Sequence, residues 1–233
     1  MAMDIDLWFW RLDPPAPRVA ELAAHLAPDE AARAARFVRP EGRAAYRTGR
    51  GRLREILASY TGDAPAALRF AQNAWGRPEL PGGPAFNLSH AAGWAALAVS
   101  PTPVALGIDI EGQRNIEPAV AERFFSTAER QELDRLRGPD WAAGFFRCWT
   151  RKEALIKGSG EGLSLPLHGF DVTLTPGAPA RIVASRIPQL VPRNWSLLHL
   201  DLHPTFVGAL AVEARGTPIN MHVREGRIPL ADA

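Results

Sequence analysis

From Ala142 to Lys157 the chain carries one glycine, Gly144, and no proline, so the stretch from Trp141 to Lys157 reads as one long helix around which the rest must be arranged. Of the 27 Lys and Arg residues only Lys152 and Lys157 are lysine. A chain that uses arginine elsewhere for positive charge thus places both of its compact, mobile ammonium groups in a single run, where a planar fork would behave differently. On a helix Trp149, Glu153 and Lys157 fall at i, i+4 and i+8 and share one face. An exposed Glu-to-Lys pair of that spacing is also an ordinary surface feature worth about 0.2–0.5 kcal/mol. The pair alone therefore assigns nothing, and the decision rests on residues elsewhere.

With 233 residues there is room for one large domain or two modest ones, each with its own core. A net charge of +2 rules out a polybasic arm, so any preference for anions must come from where arginines cluster. Cys148 is the single cysteine. That excludes an internal disulfide and a cysteine-based zinc site, fits a reducing compartment, and leaves Cys148 as a small core residue beside Trp149. The first ten residues carry Asp4 and Asp6 and lack a basic segment, so no signal peptide is expected. No apolar run approaches the roughly 18 residues needed to span a bilayer. A cytoplasmic monomer with no membrane or nucleic-acid partner is the expectation.

The order of segments predicts an α+β fold. Ile5 to Leu12 reads as a strand and Val19 to Leu26 as a short helix. Pro28-Asp29-Glu30 opens a helix that carries Arg33, Arg36 and Phe37 and stops at Pro40. A further helix, about 41–60, spaces Arg43, Arg47, Arg50 and Arg54 into a basic stripe, either a solvated face or a groove for phosphates. Strands are expected at Leu68 to Ala71, Ala85 to Leu88 and Gly93 to Ser100, and Pro101-Thr102-Pro103 marks a boundary. Ser89 and His90 are adjacent on a strand and point to opposite faces, and no G-x-S-x-G elbow is present, so they do not form a hydrolase pair.

Val104 to Glu111 reads as a strand whose Val104, Leu106, Ile108 and Ile110 face one way and Ala105, Gly107, Asp109 and Glu111 the other. The small residues suggest open space above that part of the strand. Two like charges so close call for a cation or protons between them. Helices are expected from Glu117-Pro118 and from the capping box Ser126-Thr127-Ala128-Glu129, the latter running to Gly138-Pro139. Strands are then expected at Phe170 to Thr175, Arg181 to Arg186, Trp195 to Leu202 and Thr205 to Glu213. Ala95 to Val99 and Gly208 to Val212 echo each other, which suggests two similar halves, 1–102 and 103–233, meeting along a seam suited to a ligand cleft. The tail from Gly216 to Ala233 carries no motif.

Asp109, Glu111 and Glu153 together form an all-oxygen set suited to Mg²⁺ or Mn²⁺, which completes its shell with water and phosphate. Arginines, His90 and both lysines around it specify a polyphosphate substrate. The residues alone lead to Mg²⁺-dependent phosphoryl-type transfer at a pyrophosphate.

The runs Phe86-Asn87-Leu88-Ser89-His90, Gly107-Ile108-Asp109-Ile110-Glu111, Phe124-Phe125-Ser126, Trp149-Thr150-Arg151-Lys152-Glu153-Ala154-Leu155-Ile156-Lys157 and Gly160-Glu161-Gly162-Leu163, then Pro166-Leu167, resemble in order and spacing the large, surfactin-synthetase-activating type of 4′-phosphopantetheinyl transferase. That resemblance implies two similar α/β halves related by a pseudo-twofold. It also implies transfer of the phosphopantetheine arm of coenzyme A to a serine of an apo acyl or peptidyl carrier protein (fatty acid, polyketide or nonribosomal peptide), releasing 3′,5′-ADP. Carried over residue by residue, Asp109, Glu111 and Glu153 match the metal carboxylates. His90, Lys152 and Lys157 match coenzyme A phosphate contacts, and Arg33, Thr48, Arg77, Pro78 and Ser89 match positions lining the nucleotide and 3′-phosphate site. Arg33 and Arg77 stand where lysine is frequent and keep the charge. The implied mechanism is in-line attack of the carrier serine on the β-phosphate, with Mg²⁺ and Lys157 stabilising charge. The proton goes to Glu153, directly or through a metal-bound water, with Glu129 as a rival base. Two other readings compete: a noncatalytic coenzyme A or nucleotide-binding module, and a nucleic-acid binder built on the Arg43 to Arg54 stripe, which lacks any zinc or RNP-like motif.

Overall fold

The structure is a computed structural model that describes residues 1–204 and 206–225. Thr205, where the last expected strand begins, and the final eight positions of the tail lie outside the described residues.

One order of elements occurs twice. Strand β1 (Met3–Arg11) is followed by helices α1 (Ala16–Ala23), α2 (Pro28–Ala35) and the long α3 (Pro40–Thr61), then a small hairpin, β2 (Ala71–Gln72) and β3 (Pro78–Glu79), and a larger one, β4 (Ala85–Ala91) and β5 (Trp94–Ser100). Strand β6 (Leu106–Gly112) starts the order again. Helices α4 (Pro118–Phe124), α5 (Thr127–Leu133) and the long α6 (Pro139–Ser159) lead to a small hairpin, β7 (Phe170–Val172) and β8 (Ile182–Ser185), and a larger one, β9 (Ser196–His203) and β10 (Phe206–Val212). In each half the second strand of the larger hairpin returns antiparallel beside the first strand, β5 on β1 and β10 on β6. The alanine-rich echo falls on β5 and β10, the strands flanked on both sides in their sheets. The chain ends with β11 (Ile219–Glu225), which pairs parallel with β1 and gives the first sheet the order β11-β1-β5-β4, against β6-β10-β9 for the second.

The layers follow from strand alternation. Leu97 and Val99 of β5 pack with Leu53, Ile56 and Leu57 of α3, whereas Ala96 and Ala98 face the second sheet with Ile5 and Leu7. Leu106, Ile108 and Ile110 of β6 and Leu210 of β10 meet them from the other side. Ala209 and Ala211 turn outward to Phe145, Ala154 and Leu155 of α6. The arrangement is helix, sheet, sheet, helix, with the division of faces along β6 as its alternation predicts.

Several expectations change. The space over Gly107 is filled, because a Cβ built there would lie 2.1 Å from the Ala154 carbonyl oxygen and 2.3 Å from the Gly158 nitrogen. Three of the four arginines in the basic stripe on α3 are engaged within the protein. Arg54 is 2% exposed and its Nε donates to Glu30 at 2.6 Å; Arg50 Nε donates to the other oxygen of Glu30 at 2.9 Å; and Arg43 donates to the Phe37 carbonyl. A buried carboxylate from α2, Glu30, claims the last two arginines of the stripe, since an unpaired charge there would be costly. Leu68 lies in the core, leaving only Ala71 and Gln72 as strand. α5 stops at Leu133, short of the expected Gly138-Pro139.

Candidate active site

A glycine contact places the site. Because Gly107 on β6 and Gly158 on α6 have no side chains, helix and strand backbones touch, and α6 is seated with Trp149, Glu153 and Lys157 above the acidic face of β6. These three line one cavity of about 420 Å³ together with Asp109, Ile110 and Glu111 from β6 and Leu88, Ser89 and His90 from β4. Segments far apart in sequence thus meet at the seam between the halves.

The edges of the two sheets, β4 and β6, are joined there through side chains. Asn87 Oδ1 accepts from the Ile108 amide at 2.9 Å, and Ser89 Oγ accepts from the Ile110 amide at 3.3 Å. Ser89 Oγ also donates to Asp109 Oδ1 at 3.0 Å and accepts from Lys157 Nζ at 3.1 Å, so its one donor and both lone pairs are used. Lys157 Nζ sits 2.6 Å from Asp109 Oδ1. Sequence reasoning missed Asn87 as a seam residue; its spacing of two from Ser89, which puts both on one strand face, was the available signal.

Burial pushes the Asp109 carboxyl up to about 6, against the pull of Lys157 and with added repulsion from Glu153 and Glu111. Glu153 is also raised, first by burial and then by Glu111, with Lys157 opposing. His90 stands exposed at the rim, its pKa lowered by desolvation of the ring and by the charges of Lys157 and Arg50. Gly49 of α3 makes room for that ring, since a Cβ there would lie 3.3 Å from His90 Nε2.

Among the described residues no group of three or more His, Cys, Asp or Glu already stands at metal-ligand spacing. Asp109 Oδ1 is turned to Lys157, and Glu111 pairs with Arg114 at 2.7 Å. The donor set nonetheless suits a hard divalent cation. Asp109 Oδ2 is buried without a hydrogen-bond partner, and the nearby charges of Glu153 and Glu111 raise the proton affinity of Asp109.

Other expected contacts are placed elsewhere. Lys152 does not reach the cavity. It is fully buried, 2.8 Å from Glu129, and donates to the carbonyls of Leu167 and Phe170, because an interior ammonium must be surrounded by acceptors. Glu129 is taken up in turn: it closes the Ser126 capping box and accepts from the Val172 amide at 2.8 Å. The rival base is therefore a buried structural acid. Arg77 donates to four backbone carbonyls, and Pro78 beside it is exposed at the start of β3. Arg33 lies over the Tyr46 ring, 5.5 Å from its centroid, and lines a separate pocket of about 530 Å³ with Asp29, Arg36 and Phe37. Thr48 is 1% exposed and its hydroxyl has no partner.

Repelling carboxylates facing an ammonium in one cleft equip an enzyme to neutralise charge and move a proton at an anionic substrate. Comparison with known proteins makes the class specific. Residues 105–211 match the 4′-phosphopantetheinyl transferase superfamily. The chain is 38% identical over 220 residues to the 4′-phosphopantetheinyl transferase HetI of Nostoc sp., spanning 91% of this chain and 89% of that protein. It is 33% identical over 153 residues to the 4′-phosphopantetheinyl transferase Sfp of Bacillus subtilis, spanning 64% of this chain and 66% of that one. A further Bacillus subtilis 4′-phosphopantetheinyl transferase is 37% identical over 124 residues, 54% of its length. The chain belongs to the 4′-phosphopantetheinyl transferase family.

Proposed function

We propose that this chain transfers 4′-phosphopantetheine from coenzyme A to a serine of an apo acyl or peptidyl carrier protein and releases 3′,5′-ADP. The observation that carries the reading is the convergence of Asp109, Glu111, Glu153 and Lys157 on one cavity at the seam, with a buried carboxylate oxygen left unpartnered. Asp109, Glu111 and Glu153 would hold Mg²⁺ or Mn²⁺, which when bound supplies neutralising charge to the acids and to a diphosphate.

The chain's own groups divide the remaining work. Lys157, fixed by Ser89 and Asp109, lays an ammonium against the diphosphate, and His90 at the rim offers a second donor. Glu153, on the α6 face that lines the cavity, accepts the serine proton. The serine oxygen forms its bond to the β-phosphorus as the bond from that phosphorus to the bridging oxygen breaks, and 3′,5′-ADP leaves with the electron pair. Arg33 and Thr48 are proposed for the nucleotide end. The halves 1–102 and 103–233 are proposed as the units that flank the substrate, in a cytoplasmic monomer.

The test is to incubate the protein with coenzyme A, Mg²⁺ and several apo carrier proteins and record each carrier's intact mass. A gain of one phosphopantetheine unit that disappears when the divalent ion is chelated supports the reading. Coenzyme A binding with no gain on any carrier selects the noncatalytic module. Salt-sensitive binding to DNA or RNA would select the nucleic-acid reading; in its stripe Arg50 and Arg54 are bound to Glu30.

A further inference from the structure

Arg77 is expected from the family resemblance to face the nucleotide, yet its guanidinium is spent within the protein. Nη1 donates to the carbonyls of Lys157 at 2.8 Å and Gly158 at 3.0 Å. Nη2 donates to Leu106 at 2.8 Å and Phe86 at 3.3 Å. All four Nη hydrogens are thereby engaged, and the remaining donor, Nε, is buried. An anion in the cleft finds no outward-facing donor on this side chain.

The acceptors are informative. Lys157 and Gly158 lie in the last turn of α6, where the helix dipole favours a cation. Phe86 is on β4 and Leu106 on β6, so one side chain ties together the three elements that line the cavity. Asn73, in the same hairpin turn, donates to the Gly160 carbonyl at 2.9 Å, and its own Oδ1 accepts from the Arg77 amide at 2.9 Å. The turn that presents Arg77 is thus itself anchored to the helix end. A lysine would not reproduce this, since an ammonium has three donors on one atom and no fork.

We propose that Arg77, supported by Asn73, is a positioning residue that holds the end of α6, and through it the Lys157 ammonium, in register with Asp109 and Ser89. This rests on the transfer reading above. The experiment is steady-state transfer by Arg77→Met and Arg77→Lys with coenzyme A and with 3′-dephospho-coenzyme A, repeated in a Lys157→Met background. Expected are a fall in kcat of up to about 100-fold, the cost of a misplacement near 1 Å, and an unchanged KM for coenzyme A. The preference for the 3′-phosphorylated substrate should be unchanged, and Arg77→Met should add little once Lys157 is gone. A raised KM with loss of that preference would make Arg77 a phosphate ligand, and fully additive losses would make it a general stabiliser; either overturns the proposal.

Hydrogen exchange gives a readout independent of transfer: amides near the end of α6 should exchange faster in Arg77→Met while those of α3 do not. Unchanged exchange sinks the proposal even if no carrier is modified by the wild type, a result that would separately refute the transfer reading. If Arg77→Met does not fold, Asn73→Ala carries the same test, with a smaller fall in kcat at constant KM expected and an unchanged kcat overturning it.

Discussion

Replacing Gly107 with alanine tests the contact on which the site depends. The added Cβ would lie 2.1 Å from the Ala154 oxygen, 2.3 Å from the Gly158 nitrogen and 2.8 Å from the Gly158 Cα. All are backbone atoms of α6, so no side-chain rotation relieves them. Reaching the 3.4 Å of ordinary contact requires the helix to retreat by more than an ångström from β6. Overpacking a tight core costs about 1–3 kcal/mol, and a clash against backbone belongs at the upper end. At roughly 2–4 °C per kcal/mol for a chain of this size, the melting temperature should fall by about 6–12 °C. Because the retreat carries Glu153 and Lys157 away from Asp109, transfer should fall about 100-fold, more than the lost stability accounts for at 25 °C. Gly158→Ala is the comparison: its Cβ meets the Trp195 ring at 2.8 Å and the nearest backbone atom, the Gly107 nitrogen, only at 3.2 Å, so its losses should be smaller. Circular dichroism melts and carrier intact mass measure both. A Gly107→Ala protein that melts within 2 °C of wild type and transfers normally would show that the helix is not seated by this glycine.

Asp109→Asn should reduce transfer by more than about 100-fold, beyond the range for residues that merely support metal ligands. Mg²⁺ should raise the melting temperature of the wild type and leave that of Asp109→Asn unchanged; an equal Mg²⁺ shift in both would remove Asp109 from the metal set. Glu30 is buried, which raises its carboxyl, but the Arg54 hydrogen bond and the Arg50 charge outweigh this and lower it below 4.5. A depressed acid contributes stability above its unfolded pKa and loses it as pH falls through the folded one. Glu30→Gln should therefore melt lower at neutral pH by about 3 kcal/mol and show a flatter decline below pH of about 4.5; parallel wild-type and variant curves would contradict this. Lys152→Met leaves Glu129 buried and unpaired and should cost about 3–5 kcal/mol with the KM for coenzyme A unchanged. A raised KM at unchanged stability would return Lys152 to the substrate.

What could be read from the chain was set by periodicity. The face that joins Trp149, Glu153 and Lys157, the split along β6, the Ser126 capping box and the echo between β5 and β10 all follow from spacings within one element. What could not be read depends on what stands opposite. The small residues of β6 predict a gap, and only the path of α6 shows that Gly107 is a bed for a helix. Arg54 and Lys152 look like free cations until Glu30 and Glu129 are brought against them from other helices. β11 pairs with β1 from the far end of the chain, a register that no local pattern encodes. The two lysines are placed differently: the Lys157 ammonium lines the cleft, and the Lys152 ammonium is buried against Glu129.

The seam explains why a site forms where it does. Two edge strands, β4 and β6, lie side by side, and a continuous ladder between them would merge the sheets and leave no room for a ligand. Asn87 and Ser89 satisfy two β6 amides with side-chain oxygens instead, so the edges are held together through side chains while the strand ends beyond them, at His90 and Glu111, border open volume. The same hydroxyl that spaces the strands also binds Asp109 and Lys157. The spacing of the strands and the placement of Asp109 and Lys157 are therefore one interaction. Ser89→Ala should accordingly disturb transfer and the joining of the halves together, whereas changing Glu153, which takes no part in spacing the strands, should affect transfer alone.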